Sequence, residues 1–226
     1  RRPRRRRGSP SSARPDVRHL ALLARAPSAG GKTRLTSGLP EPRARWLREA
    51  LFLDTPDVAR SLNIPITVFG TPIERLDELQ ALAGGAPAVA QADGDLGARM
   101  HAACARLFAQ GARHVVLIGS DLPTLPSSHL IAAFEALDDG ADVVLGPADD
   151  GGYYLVGLSR PTPAVFAGIS WGSARVLGET RALAAGLGLR VNETASWYDV
   201  DTLDDLVRVS CSDQPALRTR AWLAEG

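Results

Sequence analysis

Residues 115–125 read VVLIGSDLPTL, and this stretch decides the fold class. Its first four residues form an uninterrupted apolar run that ends at a glycine, which is typical of a strand buried on both faces. Asp121 and Pro123 follow shortly after, so a carboxylate lies just past the end of a buried strand. In α/β proteins, ligands bind in loops at the carboxyl ends of parallel strands. The loop around Asp121 is therefore a candidate ligand site.

Similar apolar runs recur along the chain, with helical patterns between them. We predict strands at residues 19–24, 65–70, 114–118 and 142–146, with further candidates at 153–158 and 189–194. One helix is predicted to begin after Asp95, whose side chain can cap it, and to stop at Gly111; a second runs from Pro126 to Gly140. Strands that alternate with helices predict a single-domain α/β fold with a mostly parallel, doubly wound sheet.

The charge of the chain is unevenly distributed. Residues 1–18 carry eight arginines and one aspartate, so the rest of the 226-residue chain holds 18 basic and 24 acidic residues. An acidic body argues against nucleic acid as a partner. The longest apolar runs are about six residues, against the roughly 20 that a membrane helix needs, so no membrane span is expected.

Three segments are expected along the chain. These are a disordered arginine-rich tail over residues 1–18, a folded domain over 19–209 and a short C-terminal appendage over 210–226. The tail contains consecutive arginines without an apolar stretch after them, so we expect no export signal. Cys104 and Cys211, the only cysteines, form no ligand-spaced cluster, which favours a reducing cytoplasm.

The loop after the first predicted strand, APSAGGKTRL at residues 26–35, is a second candidate ligand site. Gly30 and Gly31 let the backbone approach a ligand closely, while Lys32 and Arg34 add positive charge. Lys32 is the only lysine against 25 arginines, which suggests that a compact ammonium is needed here. We predict that the loop binds phosphate; the alternative is a solvated basic turn.

The same loop raises a P-loop NTPase as a rival class. Residues 26–33 fit a relaxed Walker A pattern with alanine in place of the first glycine. That class needs a long helix that begins at the Lys–Thr pair. Gly38, Pro40 and Pro42 would end such a helix after about two turns, so the rival is disfavoured.

Aspartates near the ends of predicted strands are the candidate metal ligands. Asp121 is presented at the ligand edge of the sheet, where a hard cation such as Mg²⁺ can bind a carboxylate. Asp199 and Asp201 are two positions apart, so their side chains point the same way if the backbone is extended. Helix capping explains Thr202 and the aspartates of the following turn. It does not explain Asp201, for which we favour a role as second metal ligand.

A second glycine-rich loop contains Asp149, Asp150, Gly151, Gly152 and Tyr153. A tight hairpin turn is one explanation of the Asp–Gly pair. The other is a loop that grips a sugar or acceptor, in which a carboxylate accepts a hydrogen bond from a hydroxyl group.

Six motifs occur in a fixed order: AGGKTRL, QADGDLGARM, GSDLPTL, DDGGYYLVGL, SWGSARVL and WYDVDTLDDL. Together they resemble a bacterial family of the glycosyltransferase-A type, known as radical-SAM/selenodomain-associated transferases and related to the guanylyltransferases that activate 2-phospholactate. The resemblance spans residues 19–206. It implies the nucleotide-diphospho-sugar transferase fold and a divalent metal, Mg²⁺ or Mn²⁺.

The resemblance also implies roles for individual residues. Lys32 and Arg34 would bind a polyphosphate beside the two glycines of their loop, and Arg99 would be a further phosphate or substrate contact. Asp121 and Asp201 would hold the metal. The stretch Asp149, Asp150, Gly151, Gly152 and Tyr153 would close over the acceptor, and Trp171 of the fifth motif is a further candidate substrate contact.

The predicted reaction is nucleotidyl transfer, with Lys32, Asp121 and Asp201 as the catalytic residues. A phosphate or carboxylate oxygen of a small metabolite would attack the α-phosphate of a nucleoside triphosphate and release pyrophosphate. A cationic loop suits a triphosphate better than a nucleotide-diphospho-sugar. Glycosyl transfer from a nucleotide-sugar is the alternative; a non-catalytic binding module is disfavoured by the carboxylates at the strand ends.

Overall fold

Seven strands form a single sheet in the part of the chain that the computed structural model describes, residues 18–225. The strands are β1 (Arg18–Arg25), β2 (Ile66–Thr71), β3 (Ala88–Ala90), β4 (His114–Gly119), β5 (Val143–Pro147), β6 (Tyr153–Leu158) and β7 (Val191–Glu193). They lie in the order β3-β2-β1-β4-β6-β5-β7. All pairings are parallel except those of β6, which is antiparallel to both β4 and β5. The prediction of a mostly parallel α/β sheet is confirmed.

Helices lie between these strands and after the last of them. They are α1 (Thr33–Thr36), α2 (Glu41–Asp54), α3 (Asp57–Ser61), α4 (Leu76–Leu82), α5 (Leu96–Ala109), α6 (Ser127–Asp138), α7 (Val176–Gly186), α8 (Leu203–Cys211) and α9 (Leu217–Ala224). Asp95 caps α5 as predicted, because its Oδ1 accepts a hydrogen bond of 2.8 Å from the Ala98 amide. In the described residues, no helix combines the length and hydropathy needed to cross a bilayer.

The apolar strands bury both of their faces, which explains their unbroken hydrophobic runs. Leu20 and Leu22 of β1 pack with Phe134 of α6 in one core. Ala21, which points to the opposite face, packs with Met100 of α5 in a second core. Alternate residues of a strand face opposite sides of the sheet, so helices cover both sides, as in a doubly wound fold.

The antiparallel strand β6 results from a short connection. Residues 148–152 join β5 to β6, and a link of this length can form only a hairpin, since a parallel crossover needs a dozen residues or more. Ile118 near the end of β4 lies opposite Leu155 near the start of β6. The hairpin loop therefore lies at the same edge of the sheet as the carboxyl ends of β1 and β4.

The C-terminal residues are more integrated than the expected appendage over 210–226 suggests. Helix α8 continues to Cys211, and α9 packs against α2. Trp222 is buried, and its Nε1 donates a hydrogen bond of 3.0 Å to the Arg43 carbonyl. Apart from Arg18, the expected tail lies outside the described residues.

A buried carboxylate attaches α9 to the end of α2. Asp54 accepts hydrogen bonds of 2.8 Å from both the amide and the hydroxyl of Thr219, and of 3.1 Å from both the amide and the guanidinium of Arg218. These bonds satisfy backbone donors at the start of α9, which lacks a cap of its own. Asp54 is thus the link between the C-terminal helix and the domain.

We predict that Asp54→Asn lowers the free energy of unfolding by about 2–4 kcal/mol, because an amide replaces a buried acceptor among several donors. Asp57→Asn is the matched control, since Asp57 contacts the same arginine at a half-exposed position. The control should cost less than about 1 kcal/mol. Urea unfolding of both variants measures the difference; equal losses would contradict the assignment of Asp54 as the link.

Candidate active site

A cavity of about 550 Å³ opens at the carboxyl ends of β1, β2 and β4. We call it the central cavity. The segments that line it include residues 23–25, 30–34 and 119–121, together with Gln91, Arg99 and Asp201. Most of the residues predicted to bind nucleotide or metal therefore surround one space, at the sheet edge where α/β proteins bind ligands.

Lys32 joins the two carboxylates that the sequence singles out. Its Nζ donates hydrogen bonds to Asp121 Oδ2, to Asp201 Oδ1 at 2.7 Å and to the Val200 carbonyl at 2.8 Å. Asp121 and Asp201 are 80 positions apart in the sequence, yet they contact the same ammonium group. The prediction that these carboxylates converge is confirmed, whereas the contact with Lys32 was not predicted.

Backbone and apolar contacts explain why these segments meet. The Val200 amide donates a hydrogen bond of 2.9 Å to the Asp121 carbonyl, so the two loops are joined directly. Val200 and Leu35 are both fully buried in a third apolar core between α2, α8 and α9. Because buried residues lie next to Asp201 and close to Lys32 in the chain, packing of this core brings the charged groups together.

The loop before α1 has the backbone expected of a glycine-rich anion site. Gly30, Gly31 and Lys32 all have positive φ, with values of 74°, 106° and 55°. Arg25 holds the loop through two hydrogen bonds to the Ala29 carbonyl, at 3.0 and 3.2 Å. Helix α1 has only four residues. The long helix that a P-loop needs after its Lys–Thr pair does not form, so the disfavoured rival is wrong for this segment.

A third carboxylate lies beside the first two. A Cβ added to Gly119 would come within 2.7 Å of Asp121 Oδ1 and 3.9 Å of Asp199 Oδ1, so both side chains face the end of β4. Burial, with the negative charge of Asp121 in addition, raises the pKa of Asp199 to about 8. The sequence pointed to Asp199 only through its alternation with Asp201 and gave it no role.

Positive charge balances part of this acidic cluster. Burial by itself lowers the pKa of Lys32, but Asp121 and Asp201 outweigh burial and raise it, so the ammonium stays charged. Arg34 donates a hydrogen bond of 2.8 Å to Asp201 Oδ2, and its side chain is largely exposed. Arg99 Nε donates a hydrogen bond of 3.0 Å to the Gly94 carbonyl, and the side chain lines the central cavity.

The oxygen atoms around Lys32 Nζ suit a metal site in which the protein supplies some of the ligands and the substrate supplies others. Across residues 18–225, no three His, Cys, Asp or Glu side chains are arranged to hold a metal ion by themselves. The convergent oxygens are instead two carboxylates, from Asp121 and Asp201, and the Val200 carbonyl. Mg²⁺ commonly takes one or two protein carboxylates and completes its shell with substrate phosphates and water. The residues present fit that arrangement.

The second glycine-rich loop borders the site, and the structure shows its turn. The Gly151 amide donates a hydrogen bond of 3.2 Å to the Ala148 carbonyl, which closes a tight turn, and Asp150 Oδ1 accepts a hydrogen bond of 2.9 Å from the Gly152 amide. Asp149 forms an ion pair of 2.9 Å with Arg208 of α8. Both aspartates line a smaller cavity of about 170 Å³ that shares Asp201 with the central cavity.

Tyr153 and Trp171 pack against each other. Their rings meet edge to face with centroids 6.3 Å apart. Burial raises the pKa of the Tyr153 hydroxyl. Trp171 also contacts α5 at Gly97, where an added Cβ would come within 2.7 Å of the indole. Trp171 does not line the central cavity, whereas Tyr153 lines a small apolar cavity of about 130 Å³ together with Asp199.

Arg25 and Gln91 line the central cavity but were not among the predicted site residues. Arg25 is the last residue of β1, and Gln91 donates hydrogen bonds to the carbonyls of Ala24 and Phe69, at 3.0 and 2.9 Å. Arg25 could have been found, because it is a charged residue at a strand end. Gln91 is the first residue of the motif QADGDLGARM, but its hydrogen bonds to two strand carbonyls could not be predicted from the sequence.

Comparisons with known proteins agree with this architecture. A candidate nucleotide-diphospho-sugar transferase from Desulfovibrio desulfuricans G20 superposes with a TM-score of 0.84 and is 30% identical, over 93% of this chain and 95% of that one. A CMP:2-keto-3-deoxy-manno-octonic acid synthetase complexed with CTP superposes with a TM-score of 0.55 at 12% identity, over 86% and 97% of the chains.

A further neighbour is Rv0371c from Mycobacterium tuberculosis H37Rv in complex with manganese. It superposes with a TM-score of 0.52 at 22% identity, over 86% of this chain and 97% of that one. No curated protein matches the chain. The structural relatives support a transferase, as the sequence predicts.

A family model matches residues 54–173, just over half of the chain. The matched segment includes Asp121, Asp149 and Asp150, and the relative from D. desulfuricans covers 93% of the chain. The chain therefore belongs to DUF2064, a family of uncharacterised proteins conserved in bacteria, and has the nucleotide-diphospho-sugar transferase fold.

Proposed function

We propose that the protein is a metal-dependent nucleotidyltransferase that transfers a nucleoside monophosphate from a nucleoside triphosphate to a small phosphorylated or carboxylated metabolite. The observation that carries this proposal is the convergence of Asp121 and Asp201 beside a cationic glycine loop. Both features lie in one cavity of about 550 Å³, a volume within the usual range for small-molecule sites.

The phosphate chain has a natural position in this cavity. Gly30 and Gly31 can present backbone amides to phosphate oxygens, and Arg25, Arg34 and Arg99 border the same space. Asp121 and Asp201 would hold Mg²⁺ or Mn²⁺. The metal would offset negative charge on the phosphate oxygens as pyrophosphate leaves.

In the proposed step, an acceptor oxygen forms a bond to the α-phosphorus while the bond from that phosphorus to the pyrophosphate oxygen breaks. The electron pair of the broken bond leaves with pyrophosphate. Lys32 and Arg34 would hold the departing pyrophosphate, and the loop at residues 149–153 would border the acceptor. The CTP complex and the manganese complex among the structural neighbours are consistent with this assignment.

Glycosyl transfer from a nucleotide-diphospho-sugar is the second candidate function. The relative that favours it is the candidate nucleotide-diphospho-sugar transferase from D. desulfuricans, at 30% identity. The central cavity is nevertheless lined by five basic side chains, those of Arg25, Lys32, Arg34, Arg48 and Arg99. Their positive charge favours a nucleoside triphosphate over a nucleotide-diphospho-sugar, because the triphosphate carries more negative charge.

We predict that the protein, incubated with Mg²⁺, a nucleoside triphosphate and a panel of phosphorylated and carboxylated metabolites, releases pyrophosphate in an acceptor-dependent reaction. A coupled pyrophosphate assay and ³¹P NMR of the products measure this. Release of a free nucleoside diphosphate from a nucleotide-sugar, without pyrophosphate, would instead establish glycosyl transfer.

Asp121→Asn should reduce metal-dependent turnover about 100-fold or more, because a metal ligand is lost. The free energy of unfolding should change by less than about 1 kcal/mol, since the ion pair of Asp121 is partly exposed. Asp204→Asn, an exposed change of the same kind in the first turn of α8, is the control and should retain activity. Retained turnover in Asp121→Asn would contradict the proposed metal site.

The raised pKa of Asp199 predicts a pH dependence of stability. The folded protein binds this proton more tightly than the unfolded chain, so stability falls as pH rises from about 4 and levels off above the folded pKa of about 8. Asp199→Asn removes the titrating group. The stability of the variant relative to the wild type should therefore rise between pH 5 and pH 8, by about 1.4 kcal/mol for each pH unit over which Asp199 keeps its proton only in the folded protein.

Urea unfolding in metal-free buffer at both pH values tests this expectation. Groups far from Asp199 titrate equally in both proteins, so the difference between wild type and variant reports on Asp199 and the charged groups beside it. A difference that is the same at pH 5 and pH 8 would contradict the raised pKa.

A further inference from the structure

The ammonium group of Lys32 has no hydrogen-bond donor left for a phosphate. A lysine ammonium carries three N–H donors. Lys32 directs them at Asp121 Oδ2, Asp201 Oδ1 and the Val200 carbonyl, the last two at 2.7 and 2.8 Å. In this arrangement Lys32 is a ligand of the acidic cluster. It can bind a polyphosphate only after it leaves these oxygens.

The oxygens that surround Lys32 Nζ are also those that would hold a divalent cation. A metal bound to Asp121 and Asp201 would lie about 2.0–2.6 Å from their oxygens, in the space that the ammonium fills. Two positive groups in direct contact also repel each other strongly in a partly buried site. Lys32 and a metal therefore cannot occupy this position together.

The charges of the cluster indicate what could displace Lys32. Asp121 and Asp201 carry two negative charges, and Lys32 and Arg34 balance them through direct ion pairs. A free divalent cation would have to expel Lys32 into a cavity that is already bordered by arginines. A polyphosphate brings several negative charges into that cavity and so offers Lys32 a new partner as the metal replaces it.

The loop is built so that Lys32 can move alone. Arg25 holds the Ala29 carbonyl, and the buried Arg48 donates a hydrogen bond of 2.8 Å to the Pro27 carbonyl, so the part of the loop before the glycines is fixed. Leu35, on the other side, is buried in the third core. The flexible four-carbon stem of Lys32 lies between these anchors, next to glycines that open onto the cavity.

We propose that Lys32 is the resident cation of the carboxylate site and that the protein takes up its metal as a metal–nucleotide complex, with free metal excluded. The polyphosphate draws Lys32 away from Asp121 and Asp201 as the metal enters between them. This inference rests on the proposed function, because it assumes a polyphosphate in the central cavity. By linkage, nucleotide and metal must strengthen each other's binding, and Lys32 is the group that couples them.

Mn²⁺ binding without nucleotide, measured by electron paramagnetic resonance, tests the proposal directly. Lys32→Met keeps the length of the side chain and removes its charge, and should bind free Mn²⁺ at least 10-fold more tightly than the wild type. Adding a non-hydrolysable nucleoside triphosphate should raise the Mn²⁺ affinity of the wild type strongly and that of the variant much less. Unchanged or weaker binding of free Mn²⁺ by Lys32→Met would overturn the proposal.

Arg34→Met is the matched control. It also removes one positive charge that forms an ion pair with Asp201. Arg34 reaches Asp201 through Oδ2, however, and its hydrogen bond does not involve Asp121. It should change the affinity for free Mn²⁺ by less than about 3-fold. A gain in affinity equal to that of Lys32→Met would show that the effect comes from net charge alone and would overturn the proposal. Asp121→Asn in the Lys32→Met background should abolish the gain, and a persistent gain would assign the metal elsewhere.

A second measurement uses the wild-type protein and does not depend on the folding of a variant. Because Lys32 is the only lysine in the sequence, labelling with [ε-¹³C]lysine gives one resonance from this residue. Free Mg²⁺ should leave the resonance in place, whereas Mg²⁺ with the nucleotide should shift it. A resonance that stays unchanged while the nucleotide binds would overturn the proposal.

The two hypotheses can fail separately. A coupled response of Lys32 to metal and nucleotide without pyrophosphate release would retain this inference and reject nucleotidyl transfer. Pyrophosphate release by a protein whose free Mn²⁺ affinity does not depend on Lys32 would do the reverse.

Discussion

The hydrogen bond from the Val200 amide to the Asp121 carbonyl, at 2.9 Å, is the contact on which the site depends. It joins the loop after β4 to a segment near the C-terminal end of the domain. Val200 is fully buried, whereas its neighbour Asp201 lines the central cavity and its other neighbour, Asp199, lines the two smaller cavities beside it. One backbone contact, supported by an apolar core, thus sets the positions of three carboxylates. Neither loop could place a cation without the other.

The sequence predicted the features that depend on short-range pattern. The apolar runs around Leu20 and Val116 identified buried strands, and Asp95 marked the start of α5. The convergence of Asp121 and Asp201 could also be predicted, because residues that follow strands of a doubly wound sheet meet at one edge. These inferences needed only periodicity, capping and a general rule of topology.

Features that depend on long-range partners could not be predicted. The charge of Lys32 was evident, but its contact with carboxylates 89 and 169 positions away was not. Helix α9 buries Thr219 and Trp222, which are three positions apart, but the arginines on either side of Thr219 obscure that buried face in the sequence. Trp171 remains a predicted substrate contact, but its packing on Gly97, whose missing side chain leaves room for the indole, was not predicted. In each case the deciding partner lies far away in the sequence.

The antiparallel strand β6 has a consequence for how the two halves of the site can diverge. The half that is proposed to bind phosphate is built from loops that lead into helices, so insertions there would shift elements that pack on the sheet. The other half is bordered by the hairpin loop at residues 148–152, which connects two strands directly. A hairpin loop can change length and composition while the sheet and its helices stay in place. Under the proposed function, acceptor selectivity can therefore change through this loop while the cation site stays intact.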